Sequence, residues 1–214
     1  AFGACSLLAN TTGGDNVAVG AFSLDANQTG NCNVAIGRSA LSTSTMGNQT
    51  AVGACALFTN TTGFANTAIG YFASKLLTTA CYTTSLGREA LEANTTGNSN
   101  TAIGHQSLTA NTTGACNVAV GVSSLLANTT GGNNVAIGSF ALDANTTGAP
   151  NVAMGVNALG ANTTGSANTA VGYQAMCSAT TGSNNSAFGL EALKANTTGT
   201  CNTAVGRDAL ESNT

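Results

Sequence analysis

The chain has 214 residues and a formal net charge of −3, and only 6% of its residues are charged and 5% aromatic. Because 5 Lys and Arg stand against 8 Asp and Glu, no basic surface can neutralise phosphates, which excludes nucleic acids and anionic membranes as expected partners. No run of about 18 apolar residues occurs, so we expect no membrane insertion. The 43% apolar content recurs in a regular pattern, which predicts a folded chain rather than a disordered one.

A 17-residue repeat covers the chain. In each unit Ala (once Ser85) and an apolar residue precede a Gly, and successive glycines lie 17 residues apart except for the 16 between Gly37 and Gly53. We number this Gly as position 0 and the rest up to 16, counting coil 1 from Gly3 and coil 9 from Gly138. A helix pair needs about 34 residues, whereas a unit of this length fits one coil of a β-solenoid. We predict an all-β fold, a parallel β-solenoid of 12 or 13 coils in which residues 1–214 form one uncapped array, a segment of a longer fibre.

The first predicted element of each unit is the strand that ends at the Gly, as in residues 134–138. Neighbouring residues of a strand point to opposite faces, so Ala136 points one way while Val135 and Ile137 point the other. Twelve of the thirteen units carry Ala at this position, which indicates that Ala faces a coil interior too thin for larger side chains. The Gly suits a sharp bend with positive φ or a close backbone approach.

The second predicted element is a return strand, as in residues 139–144, where Leu142 would close the coil interior. Residues 145–148, Asn-Thr-Thr-Gly, then form a turn, because Asn bonds to nearby backbone and Gly adopts dihedral angles that other residues avoid. Two units depart from this pattern. Residues 44–50 are one residue short. Within residues 70–86 Leu77 and Ala80 replace the Asn and Gly of the turn, and this unit indicates either a local pocket or partner patch, or a tolerated bulge.

The outward side of the first strand carries an apolar stripe. If Ala faces the interior, the large apolar residue at position 16 points outwards, together with the Val, Thr or Ser at position 14. The residues at position 16 are Val19, Ile36, Val52, Ile69, Leu86, Ile103, Val120, Ile137, Met154, Val171, Phe188 and Val205. At about 4.8 Å per coil the stripe would be about 60 Å long. Soluble monomers seldom leave an apolar surface of this size exposed to solvent, so we predict self-association with the stripe as the oligomer interface.

The charged residues mark the solvated surface. All 13 lie at positions 1, 2, 5 and 12 of their units. The same surface carries the aromatic residues Phe22, Tyr71, Phe72, Phe140 and Tyr173. We interpret it as the candidate contact surface, and the alternative interpretation is neutral variation on a solvated face.

The motif "NVAIG" at 134–138, "NTAIG" at 66–70 and "NVAVG" at 117–121 resembles the head repeats of YadA-like trimeric autotransporter adhesins. Similar arrays look like those of phage tail fibres and bacterial surface fibres. The resemblance covers essentially the whole chain. It implies a left-handed parallel β-roll, three chains packed through the Val/Ile side, and a role in adhesion or as a fibre shaft at a cell surface or on a virion. Its implied partners are further copies of the chain, as a homotrimer or filament, and host surfaces or glycans.

Eleven Asn-x-Ser/Thr motifs occur, and nine of them place Asn at position 7. These nine are Asn10, Asn27, Asn60, Asn94, Asn111, Asn128, Asn145, Asn162 and Asn196. One interpretation is a structural turn with stacked Asn and Thr ladders, which a repeating fold needs whether or not anything is attached. The other is a glycan-coated filament with N- or O-linked sugars on the turns.

The paired threonines raise a further alternative, a monomeric ice- or carbohydrate-binding solenoid. Neighbouring residues on a strand face opposite sides, so the Thr-Thr pair predicts no two-column Thr array of the kind that would favour ice binding. The flatness of that face and the oligomeric state would decide between this alternative and a self-associating fibre.

The sequence offers no constellation for catalysis or metal binding. His105 is the only histidine, and the seven cysteines form no Cys-x-x-Cys motif. Cys32, Cys116 and Cys201 share position 12 but lie five coils apart, about 24 Å by the strand spacing, against a Cα limit of about 7 Å for a disulfide. We therefore expect no enzymatic activity, no metal site, no cofactor and no intrachain disulfide, while the odd number of cysteines leaves interchain bonds open.

Overall fold

The computed structural model describes residues 1–213 and contains one parallel sheet of twelve strands in sequence order. The strands are β1 Val17–Val19, β2 Val34–Ile36, β3 Thr50–Val52, β4 Thr67–Ile69, β5 Thr84–Leu86, β6 Thr101–Ile103, β7 Val118–Val120, β8 Val135–Ile137, β9 Asn151–Met154, β10 Asn168–Val171, β11 Ser186–Phe188 and β12 Thr203–Val205. Each strand pairs in register with the same unit positions of the next, as Ala136 does with Ala153. The predicted all-β parallel β-solenoid of 17-residue coils is thus confirmed.

The coil interior is as narrow as the Ala pattern predicted. Position 15 is buried in every strand, and the residues on either side of it are half-buried or exposed. The opposite wall of the interior is formed by Ala or Ser at position 3 and mostly Leu at position 4, as in Ala141 and Leu142. A fully buried Leu contributes about 1.5–3 kcal/mol. Where Ser85 replaces Ala, its hydroxyl lies 2.9 Å from the Ser74 hydroxyl, which satisfies both buried groups.

The predicted return strand is wrong, because residues 139–144 form consecutive turns. Phe140 and Leu142 have left-handed φ values of 59° and 52°, and the same two positions are left-handed in other coils. This alternation curls the chain, so Ala141 and Leu142 both point inwards instead of to opposite faces. The backbone still bonds to the neighbouring coil, since Leu125 N–H donates to the Ala141 carbonyl at 3.0 Å.

The Gly at position 0 meets both conditions predicted for it. Gly138 has φ of 135°, and a Cβ there would lie 2.5 Å from the Gly155 carbonyl oxygen. Only Gly accommodates both the dihedral angle and the approach of the next coil. This residue therefore fixes the point at which every coil leaves the sheet.

Coil 3, the 16-residue coil, loses its residue at the Thr-Thr turn. The Asn33 amide donates to the Met46 carbonyl at 2.9 Å, whereas the equivalent Asn134 donates to Gly148, the position 10 residue of its next coil. Met46 thus stands at position 10, and position 9 is missing. The strands on either side stay in register. Residues 1–213 contain no helix, and therefore none long and apolar enough to cross a membrane.

Candidate functional site

The Asn residues of position 7 form a ladder inside the solenoid. In coils 7 to 10 the side-chain amide of each Asn donates to the Asn side-chain oxygen of the preceding coil, as from Asn128 to Asn111 at 2.8 Å. The same amide donates to the Gly three residues later, at 2.9 Å from Asn128 to Gly131. The structural turn with stacked Asn residues is therefore confirmed for these coils.

The glycan-acceptor interpretation conflicts with this placement. Asn27, Asn60, Asn94, Asn111, Asn128, Asn145, Asn162 and Asn196 are fully buried. Asn10 is half-buried, and its amide donates to Gly13 at 2.9 Å. An N-linked sugar would have to replace a buried amide that already donates hydrogen bonds, so the folded solenoid has no room for glycans at the eight buried residues.

Position 13 carries a second Asn ladder that the sequence analysis did not assign. The backbone N–H of Asn134 donates to the side-chain oxygen of Asn117 at 3.0 Å, and the Asn134 amide donates to Gly148 at 3.0 Å. Equivalent bonds link Asn168 to Asn151 and Asn185 to Asn168. The signal was present in the sequence, because Asn precedes the strand in most units. The two ladders satisfy the polar backbone of the turn inside the coil.

The two threonines of the turn both reach solvent, which corrects the prediction that they face opposite sides. They lie in a bend rather than in a strand, so strand alternation does not apply to them. Thr146, at position 8, is half-buried, and its hydroxyl donates to the Thr163 carbonyl at 3.1 Å. Thr147, at position 9, is exposed.

The apolar stripe lies on the outer face of the sheet. Ile137 is 40% exposed, and Val19, Ile36, Ile69, Leu86, Ile103, Met154, Phe188 and Val205 are exposed as well. Val52, Val120 and Val171 are half-buried. Position 14 contributes Val, Thr or Ser beside the stripe, and neither position 14 nor position 16 carries a charged residue. We call positions 14 and 16 together the apolar face.

The candidate contact surface has an aromatic and charged cluster in coils 5 and 6. The rings of Tyr71 and Phe72 stack with centroids 3.9 Å apart, and the Lys75 ammonium lies 4.0 Å from the Phe72 centroid. Lys75 in turn pairs with Glu92 at 3.7 Å. These contacts hold Tyr71, which is 47% exposed. Phe22, Phe140 and Tyr173 are also exposed, and Phe72 is half-buried.

Ion pairs on the same surface sit close together. A hydrogen bond from the Gln106 amide lowers the pKa of the Glu89 carboxyl, and Arg88 lowers it further. In coils 12 and 13 Glu191, Asp208 and Glu211 hold carboxylate oxygens within 4.8 Å of one another. Lys194 lies 2.9 Å from Glu191 and 3.9 Å from Glu211. Arg207 lies 3.1 Å from Asp208, so each of the three carboxylates already has a cationic partner and the cluster by itself indicates no metal site.

The remaining features are a groove and the cysteines. A shallow groove opens where coil 3 lacks its residue, between Thr29–Asn31 and Thr45–Asn48 in coils 2 and 3. All seven cysteines are free thiols, four exposed and three half-buried. His105 is exposed at position 1.

No protein family, curated protein or solved structure matches the chain. The likeness to YadA-like repeats therefore rests on the motifs alone.

Proposed function

We propose that the chain is a structural segment of an extracellular or virion-surface fibre that self-associates through its apolar face. The observation that carries the proposal is the continuous row of outward Val, Ile, Leu, Met and Phe side chains along twelve strands. A rigid face of this length exceeds the apolar patches that soluble monomers usually leave in water. Burying it against further copies removes that surface from solvent.

Three copies are the assembly that the resemblance to YadA-like head repeats favours. Packing three apolar faces around a common axis would leave positions 1, 2 and 5 outside the assembly. The aromatic and charged side chains of the candidate contact surface would then repeat around the fibre. Many weak contacts on a rigid array give tight attachment, because binding at one coil raises the effective concentration at the others. The Tyr71–Phe72 stack is the part of this surface best suited to a glycan ring, because aromatic faces pack against apolar sugar faces.

The proposal is tested by the mass of the particle in solution. Ile103→Lys with Ile137→Lys places two charges on the apolar face, in coils 6 and 8. Gln106→Lys with Phe140→Lys adds the same charges at position 2, in coils 7 and 9. In sedimentation velocity we expect trimers or larger species for the wild type and the position 2 variant, and monomers for the apolar-face variant. A wild-type monomer at micromolar concentration would contradict the proposal.

A further inference from the structure

Position 9, the second threonine of the turn, is the most uniform exposed position of the solenoid. Coil 3 lacks the residue, and every other coil that reaches the position carries Thr. These threonines are Thr12, Thr29, Thr62, Thr79, Thr96, Thr113, Thr130, Thr147, Thr164, Thr181 and Thr198. All eleven are exposed. We call this row the threonine ladder.

Exposure alone does not produce such uniformity in this chain. Position 2 holds Phe140, Asn157 and Glu191 in different coils, and position 12 holds Tyr82 and Cys116. A preference for β-branched residues does not explain it either. Position 14 of the strand carries Val in some coils, Thr in others and Ser in one, whereas position 9 never carries Val. The hydroxyl is therefore the feature that the ladder retains.

No hydrogen bond within the described residues explains why position 9 always carries a Thr hydroxyl. Within residues 1–213 none of the eleven position 9 hydroxyls forms a hydrogen bond with the protein, in contrast to the hydroxyls at position 8. Completing a glycan-acceptor motif is not the reason. Thr79 and Thr181 persist where Leu77 and Ala179 have replaced the Asn. A retained, exposed and unbonded hydroxyl points to a ligand outside the chain.

The ladder is held in a regular array. From Thr78 to Thr180 seven successive position 8 hydroxyls donate to the next coil at 3.0–3.1 Å, so the turn repeats its geometry from coil to coil. Thr has few rotamers, which restricts its methyl and hydroxyl groups further. The repeat along the ladder is the strand spacing, about 4.8 Å. Positions 6 to 10 carry no charged and no aromatic residue.

We propose that the threonine ladder binds ice. A suitable ligand must repeat at the coil spacing, accept and donate hydrogen bonds, and require neither charge nor aromatic stacking. Crystalline water meets these conditions, because its oxygen atoms repeat along the basal plane at a distance close to the strand spacing and each can both donate and accept. The position 9 hydroxyls would hold the first water layer, while the methyl groups limit competing arrangements. The ladder occupies position 9 and the apolar face positions 14 and 16, so the two proposals rest on different residues.

The test compares one substitution at two positions of the same coils. Thr113→Phe, Thr164→Phe and Thr181→Phe interrupt the ladder in coils 7, 10 and 11. Gln106→Phe, Asn157→Phe and Gln174→Phe place the same residue at position 2, where Phe22, Phe72 and Phe140 already occur. A third variant, with Ser at the same three ladder positions, keeps the hydroxyls and removes only methyl groups. Circular dichroism melts establish that each variant is folded.

Thermal hysteresis and the uptake of fluorescently labelled protein into a growing ice crystal are measured at equal protein concentration. We expect both activities in the wild type and the position 2 variant, a loss of both to the buffer level in the ladder Phe variant, and an intermediate value for the Ser variant. Absence of thermal hysteresis in the wild type would overturn the proposal. Equal losses in the ladder and position 2 variants would overturn it as well.

Discussion

Coil 5 and the regular coils 6 to 10 carry different buried side chains at position 7. In coils 7 to 9 the Asn at position 7 donates to the Asn of the preceding coil and accepts from the Asn of the next. In coil 5 Leu77 fills that place, is fully buried and forms no side-chain hydrogen bond. The strands on either side keep their register. The interior therefore accepts an amide or an apolar side chain at position 7.

An apolar residue at position 7 removes a hydrogen bond from the Asn of the preceding coil. With Leu77 above it, the Asn60 side-chain oxygen is buried without a hydrogen-bond partner, and Ala179 leaves Asn162 in the same state. An unsatisfied buried acceptor costs about 1–3 kcal/mol. Continuous ladders and continuous apolar stacks are thus both favourable, and the junction between them is the unfavourable element.

The largest loss of stability is expected from a substitution at position 0, which is Gly in both coil 5 and the regular coils. Gly stands at position 0 in coil 5, as Gly70, and in coil 9, as Gly138. Gly138→Ala would force a Cβ into the Gly155 backbone at positive φ, at a cost of at least about 3 kcal/mol. Urea unfolding and hydrogen exchange in coils 8 to 10 measure it. Gly14→Ala is the matched control, because the nearest atom to its Cβ is 3.7 Å away. Equal destabilisation by both would contradict this explanation.

The second prediction tests whether the junction between an Asn ladder and an apolar stack is destabilising, by creating a junction in one variant and shifting one in another. Asn128→Leu breaks a continuous ladder and leaves the Asn111 oxygen without its donor, so we expect a loss of about 1–3 kcal/mol in urea unfolding. Asn60→Leu extends the apolar stack of coil 5 and removes an oxygen that already lacks a partner. We expect this second change to lie within about 0.5 kcal/mol of the wild type. If Asn60→Leu costs as much as Asn128→Leu, the junction is not the source of the penalty.

The smallest effect concerns position 5, where coil 5 has Lys75 and coil 9 has Asp143. Lys75 has a partner in Glu92, whereas burial raises the pKa of the Asp143 carboxyl. Because the folded-state pKa is the higher one, the protonated carboxyl favours folding. That contribution is complete below the unfolded pKa, about 3.9, and is lost as the pH rises through the folded value.

Asp143→Asn should therefore raise the melting temperature at neutral pH, by an amount equivalent to about 0.5 kcal/mol. The difference from the wild type should shrink below the unfolded pKa of Asp, about 3.9. Melting curves at both ends of this range measure the change. A gain that grows on acidification would have the wrong sign for a raised pKa.

The strand, its register and its outward stripe could be predicted because alternation and a fixed Gly are local signals. Residues 139–144 could not, because the left-handed dihedral angles of Phe140 and Leu142 leave the apolar spacing of a strand unchanged in the sequence. The inward side chain of Asn145 was likewise hidden, since Asn-Thr-Thr has the same letters in a buried turn and in a glycan acceptor. The solvent exposure of Thr146 and Thr147 could not be predicted either, because it depends on the bend that follows Asn145.

Coil 3 shows that turn length and sheet register are independent in this fold. A residue is missing between Thr45 and Met46, yet Ala35, Ala51 and Ala68 still stand in one row of the sheet. A chain that absorbs a deletion there offers a graft point for added sequence. Peptides inserted between Thr45 and Met46 would be displayed beside a rigid scaffold at a known height along its axis, which makes the repeat array a ruler for spacing attached groups.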